Sequence, residues 1–531
     1  MTVIDVLLKK RGLTSPAAIL DFFSPGRPQT ISLEKVGIKP VAVKRAGVLV
    51  KQAVKAKRPI YVYGDYDADG ISATAVLWEA LHQLKAKVLP YIAGRNEPVR
   101  GLSVKGLKKI GGKPLVITVD NGITAFAAAE YASNHGIDLI ITDHHQPKQE
   151  NGRTIWPPAA AIVHTDQLAG VGVAWFFSRE LNRQAALKSL DLAAIGTIAD
   201  MVPLLSANRS LVKYGLEALQ ISPRLGIKAL SQTAQIDLSK ISPQQVSFTL
   251  APRLNAMGRL ADSLDALRLL CTTDLKRAQS LATTLNQVNQ SRQDQTSAMF
   301  TDARKKAGIN KNLVFVQSKD YHEGLVGLVA GRLVEQFHRP AVVIALGPHH
   351  VKASMRSLKT FDAIKAIRDL GDLVLERGGH PMAAGFTADA KNLPKIKLKL
   401  ETAAAKLTDK DLLPESSSDC DLALKQVDWN LYRQLQRFAP FGFGNPTPLF
   451  QAKKVRVLSF YPVGQENKHL KLKLPGFAGI AFGQGYLAEK LEPGQAVDII
   501  YSIEQNSWNN HQSLELKIKE IKADKIQPHS F

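Results

Sequence analysis

Cysteine is nearly missing from this 531-residue chain, with Cys271 and Cys420 the only two. Two thiols cannot build a disulfide framework or a cysteine-based zinc site. No run of 18 or more apolar residues occurs, so no membrane-spanning helix is expected. The opening segment, MTVIDVLLKKRGL, is charged early and lacks a long apolar stretch, so no secretory leader is expected either. Acids are in short supply: 47 Asp and Glu stand against 69 Lys and Arg, a formal net charge of +22. That imbalance favours a polyanionic partner, nucleic acid ahead of a membrane surface. A well-solvated basic surface is the alternative. The expectation is a soluble cytoplasmic protein in a reducing compartment, with no membrane contact.

What is present is an ordinary globular composition, 45% hydrophobic and 22% charged, long enough for two to four domains. From residue 58 to 200, strand-like runs alternate with helical patterns. PIYVYGD (59–65), KVLPYI (87–92), PLVITVD (114–120), DLIITDHH (138–145) and AAAIVHT (159–165) read as buried strands. This alternation predicts an α/β fold with a doubly wound parallel sheet. Over 273–307, Leu275, Ala278, Leu281, Leu285 and Val288 recur at helical spacing. The middle of that helix turns polar all round, which suits a connection between domains or a surface helix. A second α/β unit follows, with NLVFVQS (312–318) and PAVVIAL (340–346) as strands. After a polar linker, KHLKLKLP (468–475) and SLELKIKEIK (513–522) alternate apolar and basic residues. They predict a small all-β domain whose charged face suits a sugar–phosphate backbone, or is simply solvated. Phe477, Phe482, Tyr501 and Trp508 are candidates for base stacking or for its core. The expected boundaries are 1–45, 46–270, 271–308, 309–410 and 422–531.

The acids cluster at strand ends. Asp65 and Asp67 close the first strand and Asp69 lies in the turn; Asp120 ends the third strand; Asp143, His144 and His145 end the fourth. Sites in open α/β sheets form where the carboxyl ends of strands converge. Asp200 closes the apolar helical run AAIGTIADMVPL, where both the helix dipole and burial disfavour an unpaired carboxylate. Acids gathered beside apolar strands need cations, or their pKa values rise until some become neutral. Mixed Asp and His donors suit a divalent metal such as manganese, and a pair of metals about 3.5–4 Å apart is a nuclease or phosphatase arrangement. The spacing DxDxDG also resembles a calcium loop, but Val76 stands at its twelfth position in place of Glu. Taken singly, Asp143 could cap the next segment and Asp120, before Asn121-Gly122, could be a turn residue.

Together these segments resemble the DHH phosphoesterase superfamily. GDYDADG, VDNG, TDHH and GTIADMVPL are similar to its four motifs, and RGGHPMAAGF (377–386) to the accompanying DHHA1 domain. Within the superfamily the chain resembles the RecJ family of bacterial single-strand-specific 5′→3′ DNA exonucleases. APRLNAMGRL (251–260), YHEGLVGLVAGRLVE (321–335), ASMRS (353–357) and FAPFGFGNPTPLF (438–450) carry this closer likeness, over roughly residues 40 to 525.

The resemblance implies a DHH domain, a connecting helix, a DHHA1 domain and a C-terminal OB-fold-like β-barrel. It implies phosphodiester hydrolysis with two divalent cations, Mn2+ or Mg2+, releasing 5′-mononucleotides in DNA repair and recombination. By the same likeness Asp65, Asp67, Asp69, Asp120, His144 and Asp200 match metal ligands, with Asp120 bridging. His145 faces the scissile phosphate and Asp143 orients the histidines. Many superfamily members carry His where Tyr63 stands, and Asp65 takes over that ligand role. Ser354, Arg356 and Arg95 match a pocket for the terminal 5′-phosphate. Val99-Arg100 departs from the Gly-Tyr usual in the family. Arg253, Asn255, Arg259 and His380 match DNA contacts. The implied partners are single-stranded DNA, a single-strand-binding protein and a RecQ-type helicase, with the enzyme a monomer. Two other readings stand beside this one. A phosphoesterase acting on short oligoribonucleotides or cyclic dinucleotides would be shorter, without the terminal barrel. A strand-binding protein without catalysis would not need acids in all four motifs near DNA phosphates.

Overall fold

The computed structural model describes residues 1–94, 101–308, 312–413, 417–508 and 511–522, with the side chains of 507 and 508 left aside. Among the described residues two compact units emerge: Met1–Asn286 together with Ser417–Lys522, and Gln287–Leu413.

The first unit is built on a five-stranded sheet. Its strands are β1 (Ile60–Gly64), β2 (Val88–Ile92), β3 (Leu115–Val119), β4 (Asp138–Asp143) and, after a small hairpin of β5 (Lys148–Glu150) and β6 (Arg153–Ile155), β7 (Ala161–His164). The order is β2-β1-β3-β4-β7, and every pairing is parallel. β3 is buried at all five positions, the signature of a strand covered on both faces. Tyr63, Val116 and Ile141 pack on one side with Leu107, Ala128 and Ala132 from the helices Val104–Ile110 and Phe126–Asn134. The alternate residues Val62, Ile117 and Ile140, also buried, point the other way. The chain leaves β1 for β2 on one side and returns to β3 on the other. The strand order therefore reverses between β1 and β3, where a crevice opens at the carboxyl ends.

The C-terminal part of the same unit is a seven-stranded sheet. It comprises β13 (Cys420–Asp421), β14 (Phe450–Arg456), β15 (Ser459–Val463), β16 (His469–Leu474), β17 (Phe477–Ala481), β18 (Ala496–Trp508) and β19 (His511–Lys522), in the order β13-β14-β18-β19-β17-β16-β15. Leu470, Leu472 and Leu474 are buried, as their alternation predicts. Leu7 and Phe22, from the helices Val3–Lys10 and Pro16–Phe23, join the same core. Thr2 starts the first of these helices with a reciprocal capping box to Asp5.

The second unit holds β8 (Val314–Ser318), β9 (Ala341–Leu346), β10 (Val351–Arg356), β11 (Glu376–His380) and β12 (Ala383–Ala388), in the order β11-β12-β10-β9-β8. Only β8–β9 is parallel. The 32-residue helix Leu275–Lys306 runs from the first unit into the second. Among the described residues no helix is long and apolar enough to cross a membrane.

Candidate metal centre

β1 delivers the first acids. Asp65 follows its last residue, and Asp67 caps the helix Ala68–Gln83 by accepting from Gly70 N at 3.1 Å. Asp69, in the first turn of that helix, accepts from Gly170 N at 2.7 Å and Val171 N at 2.9 Å. Those amides open the helix Gly170–Leu181, whose N-terminus favours a carboxylate. Gly170 is required by close approach: a Cβ there would lie 2.5 Å from the Asp120 side chain. Asp120 follows β3 in a left-handed conformation, φ 62°. Its neighbour Asn121 ties the crevice together, donating to Tyr63 O at 3.1 Å and Val119 O at 2.9 Å while accepting from Leu102 N at 3.0 Å.

The triplet after β4 divides its work. Asp143 is buried and accepts from Ile123 N (2.9 Å), His144 N (2.7 Å) and His145 N (3.1 Å), and lies 2.8 Å from His145 Nδ1. It is therefore fully occupied in shaping the turn and fixing the His145 ring. Burial alone would raise its pKa, but the hydrogen bond and positive charge of His145 and the Ile123 amide outweigh that and bring it to about 2. His144 stands between two carboxylates, with Nε2 3.1 Å from Asp120 Oδ1 and Nδ1 3.7 Å from Asp200 Oδ2. Burial disfavours its charge, yet Asp200 and Asp69 prevail and raise its pKa. Replacing Asp143 with alanine strands three amide donors, at about 1–3 kcal/mol for each unsatisfied buried group. Metal-free Asp143→Ala should therefore melt several degrees lower than wild type by circular dichroism. Asp143→Asn, which keeps one acceptor oxygen, should recover part of the loss.

Three groups of donor atoms, each within 4.8 Å of one another, result: Asp65 with Asp67 and Asp120; Asp120 with His144 and His145; Asp69 with His144 and Asp200. They overlap at Asp120 and His144, so they form one continuous centre. Burial, then repulsion from Asp120 and Asp200, raises the Asp69 pKa well above the usual carboxylate value. Burial and Asp67 do the same to Asp120. Buried acids driven toward neutrality are what cations stabilise, and carboxylates with a minority of imidazoles suit Mn2+ or Mg2+. These residues fit such ions.

Tyr63 is turned away from the centre. It is fully buried, its hydroxyl donates to Gly101 O at 3.1 Å, and Asp65 is the acid of this strand that reaches the donor groups. Asn255 lies on the helix Ala251–Leu260, and its Oδ1 accepts from Ala68 N at 2.7 Å. Arg253, on the same helix, donates to Asn286 Oδ1 at 3.0 Å and Thr249 O at 2.7 Å. Arg259 is in the last turn of that helix. The segment thus braces the aspartate motif, a role invisible in its sequence because the partner lies 187 residues away. In the second unit, Ser354 and Arg356 share β10, with Arg356 Nη1 2.8 Å from Ser354 Oγ and 3.0 Å from Met355 O. Gly327, near the start of the helix Val326–Phe337, faces them: a Cβ there would lie 2.8 Å from Arg356 Nη2 and 3.1 Å from Ser354 Oγ. The sequence singles out the segment around Gly327 only by family likeness and gives no sign that this glycine faces Ser354 and Arg356. His380 ends β11 and is exposed. Arg95, like Val99 and Arg100, lies outside the described residues. Among the C-terminal aromatics, Tyr501 is core, buried with its hydroxyl donating to Leu422 O at 2.9 Å. Phe477 is partly buried against the same core, and Phe482 is 54% exposed with Lys517 over its ring. The Trp508 side chain is outside the described set.

Parallel strands that carry an Asp-rich motif, an Asp-Asn-Gly turn and an Asp-His-His triplet to one crevice define a phosphoesterase of the DHH class. The model of the DHH family, N-terminal domain, matches residues 59–197, that of the DHHA1 domain 310–406, and that of the RecJ OB domain 418–520. The chain is 34% identical over 550 residues to the single-stranded-DNA-specific exonuclease RecJ of Bacillus subtilis, covering 98% of this chain and 68% of the relative. Among solved structures, RecJ in complex with Mn2+ from Thermus thermophilus matches with a TM-score of 0.83 and 31% identity, covering 98% of this chain and 76% of that one. RecJ in complex with Mg2+ from the same organism matches with a TM-score of 0.77 and 29% identity, covering 98% and 74%. The chain belongs to the RecJ family.

Proposed function

We propose that this protein degrades single-stranded DNA from the 5′ end, hydrolysing phosphodiester bonds to release 5′-mononucleotides with two divalent cations, Mn2+ or Mg2+. The continuity of the three donor groups through Asp120 and His144 is the observation that carries this reading. Asp65, Asp67 and Asp120 would hold one cation and Asp69, His144 and Asp200 the other, with Asp120 serving both. Such cations activate water and stabilise charge on the attacking and leaving oxygens. The protein's own part is positional. The Gly170 and Val171 amides fix Asp69, and Asp143 fixes the His145 ring toward the scissile phosphate.

Polarity comes from a pocket for the terminal 5′-phosphate. Arg356 and Ser354, with Arg95, bind the terminal 5′-phosphate, since a guanidinium fork engages two phosphate oxygens at once. Arg253, Asn255, Arg259 and His380 line the strand's path, and the C-terminal sheet offers the basic residues Lys471 and Lys473. In domain terms, 1–45 is an N-terminal segment, 46–270 the phosphoesterase domain, 271–308 the connector, 309–410 the DHHA1 domain and 422–531 the nucleic-acid-binding domain. The enzyme acts as a monomer. The enzyme works in cytoplasmic DNA repair and recombination. There a RecQ-type helicase supplies single strands and a single-strand-binding protein holds them.

The test uses 5′-phosphorylated and 5′-blocked single strands, with duplex and RNA controls, in Mn2+ and in EDTA. Mononucleotides should appear from the phosphorylated single strand in Mn2+ alone. Equal release from the blocked strand would overturn the polarity, and release in EDTA would overturn the metal centre.

A further inference from the structure

We infer that the turn Gly442–Asn445, within the region matched by the RecJ OB domain model, positions the Asp200 carboxylate in the metal centre. The inference rests on the reading of Asp200 as a ligand, and it makes the C-terminal region part of the hydrolytic machinery.

Asp200 directly follows the last residue of its helix, Leu190–Ala199. A helix C-terminus repels a carboxylate. The chain then turns sharply. Met201 adopts φ 60° and Ser206 φ 47°, left-handed conformations in residues that have a Cβ. Such conformations are strained and persist only where the surroundings dictate them. The surroundings here come from far later in the chain. Leu204 N donates to Phe443 O at 2.8 Å, and Leu204 is buried. Gly444, at φ 73°, lies so close that a Cβ would be 2.8 Å from Pro203 Cβ and 2.9 Å from its Cα; one on Gly442 would be 2.6 Å from Leu204 Cδ1.

The turn is itself rigid. Gly442 and Asn445 exchange backbone hydrogen bonds at 2.9 and 3.1 Å. The buried Asn445 side chain donates to Phe438 O and Pro440 O and accepts from Arg11 Nε at 3.0 Å. Arg209, fully buried in the first turn of the helix Ser206–Gln220, donates to Ala439 O at 2.7 Å and to Phe22 O at 2.6 Å. The guanidinium also lies 3.8 Å over the Phe22 ring. A fixed turn thus presses on the exit from Asp200 and sets the direction in which that helix end presents its carboxylate.

The test compares Gly444→Ala with Gly476→Ala. Gly476 has φ 82° but no atom within 4 Å of its would-be Cβ, so it imposes similar backbone strain without touching Pro203. Mn2+ binding is titrated without DNA, and apo melting temperatures are recorded. Wild type and Gly476→Ala should each bind two Mn2+ with the same affinities. Gly444→Ala should bind one Mn2+ normally and the other at least about tenfold more weakly, the scale seen when a group that orients a metal ligand is disturbed. Added Mn2+ should then restore its hydrolysis. If Gly444→Ala melts before titration, Gly442→Ala, which meets only a side chain, carries the measurement with the same expected sign. A folded Gly444→Ala with two wild-type affinities overturns the positioning role. Wild type binding fewer than two Mn2+ overturns the ligand reading instead.

Discussion

Asp120→Asn should reduce kcat by about 10³-fold or more if Asp120 serves both cations as proposed, because weakened metal binding forfeits several kcal/mol of charge stabilisation and each 1.36 kcal/mol is a factor of ten. Asparagine is the substitution of choice, since it tolerates the left-handed conformation that Asp120 adopts. The distinguishing result concerns the metal-free protein. Asp120 is buried, and Asp65, Asp67 and Asp200 repel it. Removing its charge relieves that repulsion, so apo Asp120→Asn should melt at or above the wild-type temperature while losing Mn2+ binding. A functional acid behaves this way, sited at the expense of stability. A structural acid such as Asp143 should do the opposite and lower the apo melting temperature when replaced. Calorimetric melts in EDTA, paired with Mn2+ titrations, separate the two. Full-rate hydrolysis by Asp120→Asn would remove it from the centre.

Arg356→Ala should erase the preference for a 5′-phosphate. Hydrogen bonds to charged groups contribute about 1.5–3 kcal/mol each, so discrimination between 5′-phosphorylated and 5′-hydroxyl strands should fall roughly 10- to 150-fold. Nη1 of Arg356 is anchored on Ser354 Oγ and Met355 O, which aims the guanidinium plane. Nη2 lies on the side left open by Gly327. Burial lowers the Arg356 pKa, as expected of a group that gains most from an anionic partner. Lysine keeps the charge but loses the planar fork, so Arg356→Lys should recover little of the preference. Single-turnover rates on the paired substrates measure it. An unchanged ratio would assign polarity to other residues.

Much of the first unit was legible in the sequence because local chemistry and global fold agree there. Runs such as LVITV are too apolar and β-branched for anything but a covered strand, and the first, third and fourth of them run into acids. The second unit was read less fully. β10, β11 and β12 escaped notice, since VKASMR, ERGGH and AAGFTA have weak strand propensity and are strands only because each pairs with a neighbour. Tyr501 looked as able to stack a base as Phe482 did; only burial distinguishes them.

By itself the sequence determined the alternation of strands and helices, the carboxylates and imidazoles of the centre, and their family likeness. These depend on residue type and short-range order, which a linear text carries. The tertiary structure decided which acids touch. Asp69 is held by amides about a hundred residues on, Ala68 is braced by Asn255, and the exit from Asp200 is set by Gly442–Asn445. Such contacts depend on backbone hydrogen bonds and close approaches between distant segments, and neither periodicity nor spacing records them.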